Sequence, residues 1–457
     1  MNWLHERYIQ DSDKTAVYEN GVRLTYGGLF ESACSLAGKI QQLQRERIAV
    51  YIHNSLDSVV LVHALMQAGV EMVLLNTRLT RHEVVAQLKD IDVDTVIAAA
   101  EFEADELTVI PLRVLQDAPE AVFDIRTPSE QDILSIMFTS GTTGKPKAVS
   151  QTYLNHYASA LGCAERFQYD GQSNWLLVNP VYHISGLSII FRTAISGASL
   201  YIVNKFDEDT VIDMIQKHHI THTSLVPVML KRLMKKEWTH QLEGILLGGA
   251  GATRTLMAEA VERGLPIHNS FGMTETCSQI VSVSYRNDML LKGTVGRPPQ
   301  NVSIKVDKNN ELLVKADNVT PGYLNAPIER VDGYFKTGDL AEIDDDGYLY
   351  ILDRRKDLII SGGENIYPKE IEDVVNSVEG VVQSAVIKKK DENWGEVPVL
   401  LVEGSPDSED LKHHLKEKLA RYKQPKEIHF VDEIYMTSTG KVSRAKNKEI
   451  YDAVIDR

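Results

Sequence analysis

Short apolar runs alternate with amphipathic stretches over the first half of the chain. The runs are rich in β-branched residues, and they occupy positions 47–52, 70–75, 94–99, 133–138, 175–179, 198–203, 222–227 and 244–249. The stretches between them carry apolar residues at helical spacing. Thr80 followed by Glu83 predicts one helix start, and a second helix is predicted near Ser185. This alternation is typical of an α/β fold with parallel sheets covered by helices.

The pattern changes after about residue 290. Segments 302–316 and 340–352 read as hairpins with Asn, Asp and Gly in their turns, which predicts a β-rich subdomain. From residue 353 onward, helical and strand patterns alternate in a unit of about a hundred residues, which is the size of a small domain. We therefore predict an N-terminal domain at residues 1–355 and an α+β C-terminal domain at 356–457.

Composition and charge exclude several classes of protein. The 457 residues exceed what one hydrophobic core holds, and 43% apolar with 25% charged residues is ordinary for a globular protein. A net charge of −15 argues against broad nucleic-acid or anionic-membrane surfaces. The cysteines, at positions 34, 163 and 277, form no Cys-x-x-Cys pair. We expect a cytoplasmic protein with no nucleic-acid partner and no membrane insertion.

The segment "TSGTTGKPK" at 139–147 follows a predicted strand. Gly141 and Gly144 permit a tight turn whose N–H groups can converge on phosphate oxygens. A Walker A loop has four residues between its glycines, whereas here there are two, and Pro146 follows Lys145. The loop is therefore not that of a P-loop NTPase. A polar surface turn without a ligand is the alternative.

Four further segments occur in an order that matches a known superfamily. They are "SFGMTE" (270–275), "YFKTGDL" (334–340), "RRKDLIISGGENIYP" (354–368) and "TSTGKVSR" (437–444). With the 139–147 loop, they make the chain resemble the adenylate-forming acyl- and aryl-CoA synthetases, luciferases and adenylation domains. One departure is Ala148, where the superfamily usually has glycine.

The resemblance implies a site for ATP and Mg²⁺. The departing phosphates would be held by Thr139, Ser140, Gly141, Thr142, Thr143, Gly144, Lys145 and Lys147. Thr274 would donate to the α-phosphate, and Glu275 would hold Mg²⁺. Asp339 would accept the ribose hydroxyls, with Arg354 beside it. Taken singly, each of these acids would be read as a surface or turn residue.

The resemblance also assigns the adenine side and the mobile domain. Asn269 and Phe271 would meet adenine, and Gly249 and Gly251 would let the backbone approach adenine and acyl group, unless 246–253 is only a turn. Lys441 would be the catalytic lysine of adenylate formation. A rotation of the C-terminal domain about a hinge at Lys356 would then bring Gly362 and Gly363 to the CoA tunnel.

Segments 150–162 and 179–192 are expected to line the acyl pocket. They hold no acid for a substrate ammonium, but His183 and Arg192 offer donors and a cation, which favours an acid with a second carboxylate or a carbonyl. Four segments (75–83, 151–156, 183–192 and 271–280) are most similar to the branch whose aromatic substrate carries a succinyl arm. The alternatives to a substrate-binding role are that His183 is a core histidine hydrogen-bonded to the backbone and that Arg192 reaches solvent.

The predicted activity is that of an ATP-dependent acid-thiol ligase. Its partners would be a small-molecule carboxylate, ATP and CoA. Another aryl or acyl acid, a stand-alone adenylation module that loads a carrier protein, and a degenerate synthetase that only binds nucleotide remain open. The sequence also leaves open whether the chain forms a homo-oligomer.

Overall fold

The computed structural model describes residues 1–121, 127–139, 146–361, 364–391, 394–437 and 440–455. The helices are α1 Trp3–Asp11, α2 Tyr26–Gln41, α3 Leu56–Ala68, α4 Arg81–Lys89, α5 Leu112–Gln116, α6 Tyr153–Phe167, α7 Ile184–Ser196, α8 Glu208–Lys217, α9 Pro227–Leu233, α10 Arg254–Glu262, α11 Pro368–Val375, α12 Ser408–Lys418 and α13 Arg444–Ile455.

The strands fall into four sheets. They are β1 Thr15–Glu19, β2 Val22–Thr25, β3 Arg47–Tyr51, β4 Glu71–Leu74, β5 Thr95–Ala98, β6 Thr108–Pro111, β7 Ile133–Thr139, β8 Lys147–Thr152, β9 Asn174–Leu177, β10 Ser199–Ile202, β11 His222–Leu225, β12 Gly244–Leu247, β13 Ile267–Met273, β14 Ser278–Ser284, β15 Val302–Val306, β16 Glu311–Ala316, β17 Arg330–Val331, β18 Tyr334–Ile343, β19 Leu349–Arg354, β20 Ile359–Ser361, β21 Glu364–Ile366, β22 Val381–Asp391, β23 Gly395–Gly404 and β24 Glu427–Val431.

Two largely parallel sheets confirm the predicted α/β fold. One has the order β6-β5-β3-β4-β7-β8 and is parallel except for its β7-β8 edge. The other has the order β14-β13-β12-β11-β9-β10-β1-β2 and is antiparallel only at its two edges. All eight apolar runs of the sequence analysis overlap strands of these sheets.

Helix starts follow the predicted chemistry. Thr80 and Glu83 form a reciprocal capping box at the start of α4. Helix α7 begins at Ile184, one residue before the predicted position. Helix α3 is apolar on every face, and its residues from Ser58 to Ala68 are buried, as expected for a helix enclosed within the core.

The β-rich subdomain contains both predicted hairpins. Strands β15 and β16 pair antiparallel, as do β18 and β19, in a five-stranded sheet with β17. The register of the second hairpin places Asp339 directly opposite Arg354. Two motifs that are 15 residues apart in sequence therefore meet across one pair of strands.

The C-terminal part has its own sheet, with the order β21-β20-β23-β22 and with β24 beside β23. Helices α11 and α12 pack on it around Ile371, Leu411 and Leu415. The structure adds α13, which the sequence analysis does not predict. The domain boundary at residue 356 stays a prediction. Within the described residues, no helix combines the length and the apolar character that a membrane span requires.

Candidate active site

Asp339 and Arg354 form the ion pair on which the ribose prediction depends. Arg354 Nε lies 2.9 Å from Asp339 Oδ1. Asp339 is buried, and its Oδ2 has no hydrogen-bond partner in the described part of the chain. Burial raises the pKa of Asp339 to about 6, although Arg354 and Lys441 oppose the shift. A buried acceptor without a donor fits a ligand that supplies hydroxyl groups.

Lys441 of the C-terminal part lies within electrostatic range of Asp339 and Glu275 of the N-terminal part. Its backbone N–H donates to Thr437 Oγ1 at 3.1 Å, in a turn where Gly440 has a φ of +75°. Its side chain is exposed to solvent. Nearby protein atoms nonetheless desolvate the ammonium group and lower the pKa of Lys441, the Arg354 guanidinium adds to the shift, and Asp339 and Glu275 oppose it.

Thr274 and Glu275 lie in a short 3₁₀ turn after β13. Gln151 Nε2 donates to the Thr274 carbonyl at 2.8 Å, and Tyr323 Oη donates to Glu275 Oε1 at 3.0 Å. The sequence analysis missed both of these contacts. Gln151 falls within a segment predicted to line the acyl pocket, and Tyr323 belongs to none of the motifs, so one sequence alone carries no signal for either contact.

Strands β7 and β8 flank the predicted phosphate loop. Thr139 ends β7 and pairs with Lys147, the first residue of β8. The predicted loop residues between them lie outside the described residues, namely Ser140, Gly141, Thr142, Thr143, Gly144 and Lys145. Ala148 is buried and its N–H donates to Asn325 Oδ1 at 2.9 Å, so its methyl group is accommodated in the core.

The predicted adenine residues lie on β13 and on the loop after β12. Asn269 Nδ2 donates to the Thr294 carbonyl at 3.0 Å, so its oxygen points elsewhere, as acceptance from an adenine amine requires. Phe271 packs against the β-rich subdomain and is only partly buried. Gly249 has a φ of +80°, a left-handed conformation that favours glycine.

Gly251 and Lys356 lie where the two parts of the chain meet. A Cβ atom on Gly251 would stand 3.2 Å from Lys369 Cε of the C-terminal part. The Lys356 carbonyl accepts a hydrogen bond from Lys388 Nζ at 3.1 Å, in the turn between β19 and β20. The hinge at Lys356 remains a prediction, and Gly362 and Gly363 fall outside the described residues.

His183 is the N-cap residue of α7 in the predicted acyl region. Burial lowers the pKa of its imidazole to about 4, with a further contribution from Arg78, so the ring is neutral at pH 7. Its Nε2 is buried and has no hydrogen-bond partner among the described residues. That orphan nitrogen argues against a core histidine satisfied by backbone.

Arg192 is buried on α7, with 1% of its surface exposed. Its Nη2 donates to Ser278 Oγ at 3.0 Å and to Gln279 Oε1 at 3.1 Å, and its Nε is buried without a partner in the described segments. The alternative that Arg192 reaches solvent is therefore wrong. No carboxylate pairs with it among the described residues, which leaves a buried cation with neutral acceptors only.

The acids of the site suit a magnesium ion that arrives with phosphates. The described residues contain no group of three or more His, Cys, Asp or Glu side chains arranged to hold a metal. Mg²⁺ usually takes one or two carboxylates together with substrate phosphates and water. Glu275 is partly exposed, and only its Oε1 is hydrogen-bonded to Tyr323, so its second oxygen fits this role.

Comparison with known families defines the class. The model of the AMP-binding enzyme family matches residues 4–324, and that of the AMP-binding enzyme C-terminal domain matches residues 370–441. The chain therefore belongs to the AMP-binding enzyme family, which confirms the resemblance read from its motifs.

Within this family, similar proteins are named for one acid. A 2-succinylbenzoate-CoA ligase of Staphylococcus epidermidis is 42% identical over 98% of this chain and 97% of its own. The o-succinylbenzoate CoA synthetase of Bacillus subtilis, in complex with the acyl-adenylate intermediate OSB-AMP, is 34% identical over 98% of each chain with a TM-score of 0.93. Its complex with ATP and magnesium ion has a TM-score of 0.91 at 34% identity, over 98% of this chain and 99% of that one.

Proposed function

We propose that the chain is an ATP-dependent ligase that activates 2-succinylbenzoate as an acyl-adenylate and transfers the acyl group to CoA, a step of menaquinone biosynthesis. The observation that carries the choice of acid is the buried Arg192 guanidinium, which has only neutral partners within the described residues. Relatives named for this acid support the same choice. We place the reaction in the cytoplasm, where ATP and CoA are available.

The nucleotide half of the site would bind ATP through complementary charge. Asp339 accepts the ribose hydroxyls at its free Oδ2, and Arg354 keeps this carboxylate ionised. The 139–147 loop holds the departing phosphates, and Glu275 holds Mg²⁺. The metal neutralises phosphate charge, which lowers the repulsion between two reacting anions.

Lys441 would act at the moment of bond formation. The substrate carboxylate attacks the α-phosphorus, and the P–O bond to pyrophosphate breaks as the acyl-adenylate forms. An ammonium beside the carboxylate and the α-phosphate stabilises charge that is strongest in this transition state. This role is supported by the charges of Asp339 and Glu275, which raise the pKa of Lys441 against the effect of burial.

The acyl half would read the carboxylate that does not react. Arg192 is hydrogen-bonded to Ser278, the first residue of β14, which follows the turn that carries Thr274 and Glu275. A benzoate carboxylate at the guanidinium would leave the succinyl arm free to extend toward the α-phosphate. The planar guanidinium suits a carboxylate better than a point charge does, because it binds both oxygens.

Thioester formation would use the same site in a second domain arrangement. The CoA thiol attacks the acyl carbon and AMP leaves. Rotation about Lys356 would remove Lys441 and bring residues 362 and 363 to the tunnel. His183, neutral because of its lowered pKa, offers an uncharged ring at the junction of acyl group and thiol.

The test is CoA-thioester formation with ATP and Mg²⁺ over a panel of acids. The panel contains 2-succinylbenzoate, benzoate, 4-phenyl-4-oxobutyrate and a medium-chain fatty acid. We expect a strong preference for 2-succinylbenzoate over the oxobutyrate, which lacks only the ring carboxylate. Preference for another acid would refute the substrate, and acyl-adenylate formation without a thioester would favour a module that loads a carrier protein.

A further inference from the structure

A strap of residues 320–325 joins the two flanks of the nucleotide site. The Ser150 N–H on β8 donates to the Gly322 carbonyl at 3.1 Å. The Thr320 N–H donates to the Glu275 carbonyl at 2.8 Å. The strap therefore contacts both the strand that leaves the phosphate loop and the turn that carries the predicted metal ligand.

Within the strap, the Tyr323 side chain contacts both the Glu275 carboxylate and the Lys147 ammonium. Its Oη donates to Glu275 Oε1 at 3.0 Å, and Lys147 Nζ lies 4.8 Å from the centroid of its ring. We propose that Tyr323 is a positioning residue that holds the Glu275 carboxylate and the Lys147 ammonium in the arrangement that magnesium and ATP require. This inference rests on the nucleotide part of the proposed function and not on the identity of the acid.

The hydroxyl group of Tyr323 would orient the metal ligand. With Oε1 of Glu275 engaged by the phenol, the other carboxylate oxygen is the one presented to the metal. Mg²⁺ demands nearly ideal octahedral geometry. A carboxylate that is already held in one orientation supplies one ligand without a change of side-chain rotamer. Groups that fix metal ligands in this way commonly contribute tenfold or more to metal affinity.

The ring of Tyr323 would position the phosphate-binding cation. An ammonium over an aromatic face is attracted by the ring's negative surface, and the attraction does not depend on the hydroxyl. Lys147 therefore keeps its place when the phenol oxygen is removed and loses it when the ring is removed. The two roles can be separated by two substitutions.

The experiment uses the full chain and a non-hydrolysable ATP analogue, without any acid substrate. Mn²⁺ binding in the presence of saturating analogue is measured by electron paramagnetic resonance, and analogue binding in EDTA is measured by calorimetry. Tyr323→Phe removes the hydroxyl and Tyr323→Leu removes the ring. Tyr334→Phe is the matched control, because Tyr334 also contacts a hydroxyl, Ser303 Oγ at 3.0 Å, and its ring centroid also lies near lysine ammonium groups, Lys305 Nζ at 4.2 Å and Lys315 Nζ at 6.0 Å.

We expect Tyr323→Phe to weaken Mn²⁺ binding about tenfold while metal-free analogue affinity stays within about twofold of Tyr334→Phe. Tyr323→Leu should weaken both, the metal-free affinity by roughly threefold. Mn²⁺ affinity of Tyr323→Phe within about twofold of the control would overturn the proposal. Equal losses with and without metal in Tyr323→Phe would also overturn it, since they indicate a general disturbance of the fold.

The outcome does not depend on which acid is activated. If the panel of acids refutes 2-succinylbenzoate, metal and nucleotide binding still report on Tyr323. If the chain binds no ATP analogue at all, the nucleotide part of the proposed function fails and this inference fails with it. AMP affinity provides the check on folding for Tyr323→Leu, because AMP binding requires neither metal nor Lys147.

Discussion

Arg354 and Arg192, which we assign to the two halves of the proposed site, lie in different electrostatic environments. Arg354, proposed for the nucleotide side, is about one-third exposed and forms an ion pair with Asp339 at 2.9 Å. Arg192, proposed for the acyl side, is almost fully buried, and its guanidinium donates hydrogen bonds to the neutral side chains of Ser278 and Gln279. The protein thus balances one cation itself and leaves the other without an anion among the described residues.

The difference in charge balance between Arg354 and Arg192 indicates which kind of ligand each half of the proposed site would bind. Asp339 is already paired with a cation, and its Oδ2, which has no hydrogen-bond partner among the described residues, can accept from hydroxyl groups, which are neutral. A buried cation without a counter-charge is unfavourable alone and becomes favourable when an anion binds. We infer that the acyl half selects by charge, whereas the ribose half selects by hydrogen bonding.

The largest expected effect is on the rate of acyl-adenylate formation. Lys441→Ala should slow acyl-adenylate formation by about 10²–10³-fold, because it removes a cation that acts in the transition state. Consumption of a preformed acyl-adenylate with CoA should stay nearly unchanged. Lys448→Ala, which breaks only the surface pair with Asp452 at 2.7 Å, is the matched control. Equal losses in the two half-reactions would contradict the role of Lys441.

Affinity of the ribose half for its ligand should depend on pH. Burial raises the pKa of Asp339 to about 6, and hydroxyl donors favour its ionised form. Affinity for adenosine, which has the ribose hydroxyls but no titrating phosphate, should be constant above about pH 6 and fall by up to about tenfold per unit below it, because protonation of Asp339 then competes with binding. Asp339→Asn should bind adenosine weakly and without this dependence. Calorimetry from pH 5 to 8 measures both, and an unchanged profile in the variant would exclude Asp339 as the titrating group.

The two arginines should differ in their effect on stability without ligands. Arg354→Met leaves a buried carboxylate unpaired and should lower the free energy of unfolding by about 2 kcal/mol. Arg192→Met removes a buried cation that has no anionic partner in the described part of the chain, and it should change the free energy of unfolding by less than about 1 kcal/mol. Thermal unfolding of the two variants measures the difference. A larger loss for Arg192→Met would show that its contacts to Ser278 and Gln279 stabilise the fold itself.

The smallest effect on activity is expected from a substitution at Gly251. A Cβ atom at Gly251 would stand 3.2 Å from Lys369 Cε, which is the mobile part of a long side chain. Gly251→Ala should therefore change kcat/KM by less than about twofold. Gly272→Ala offers the contrast, because its Cβ would stand 2.1 Å from the Ser278 carbonyl oxygen, and it should destabilise the protein strongly. A large loss of activity in a stably folded Gly251→Ala would show that the loop approaches a ligand closely.

Local patterns predicted most of the sheets and the helix starts. The buried strands have continuous apolar runs, and Thr80 with Glu83 marks a helix start by direct hydrogen bonding. Helix α13 is not predicted because its segment is rich in charged residues, and only the packing of residues such as Tyr451 reveals its buried face.

The site was predictable only where residues belong to motifs. Asp339 and Arg354 fall in recognisable segments, and the strand register brings them together. The burial of Arg192 depends on which face of α7 meets the core, and the contact of Tyr323 with Glu275 joins residues 48 positions apart in sequence. Such tertiary contacts leave no periodic trace in a single sequence.

The central claim is that Arg192 recognises the carboxylate that does not react. The most direct measurement is kcat/KM for wild type and Arg192→Ala with 2-succinylbenzoate and with 4-phenyl-4-oxobutyrate. We predict that the substitution lowers the value for 2-succinylbenzoate by about 10²-fold or more, and that for the oxobutyrate by less than about fivefold, because only the diacid loses its charge partner. Equal losses for the two acids would contradict the claim and assign Arg192 to the support of the fold.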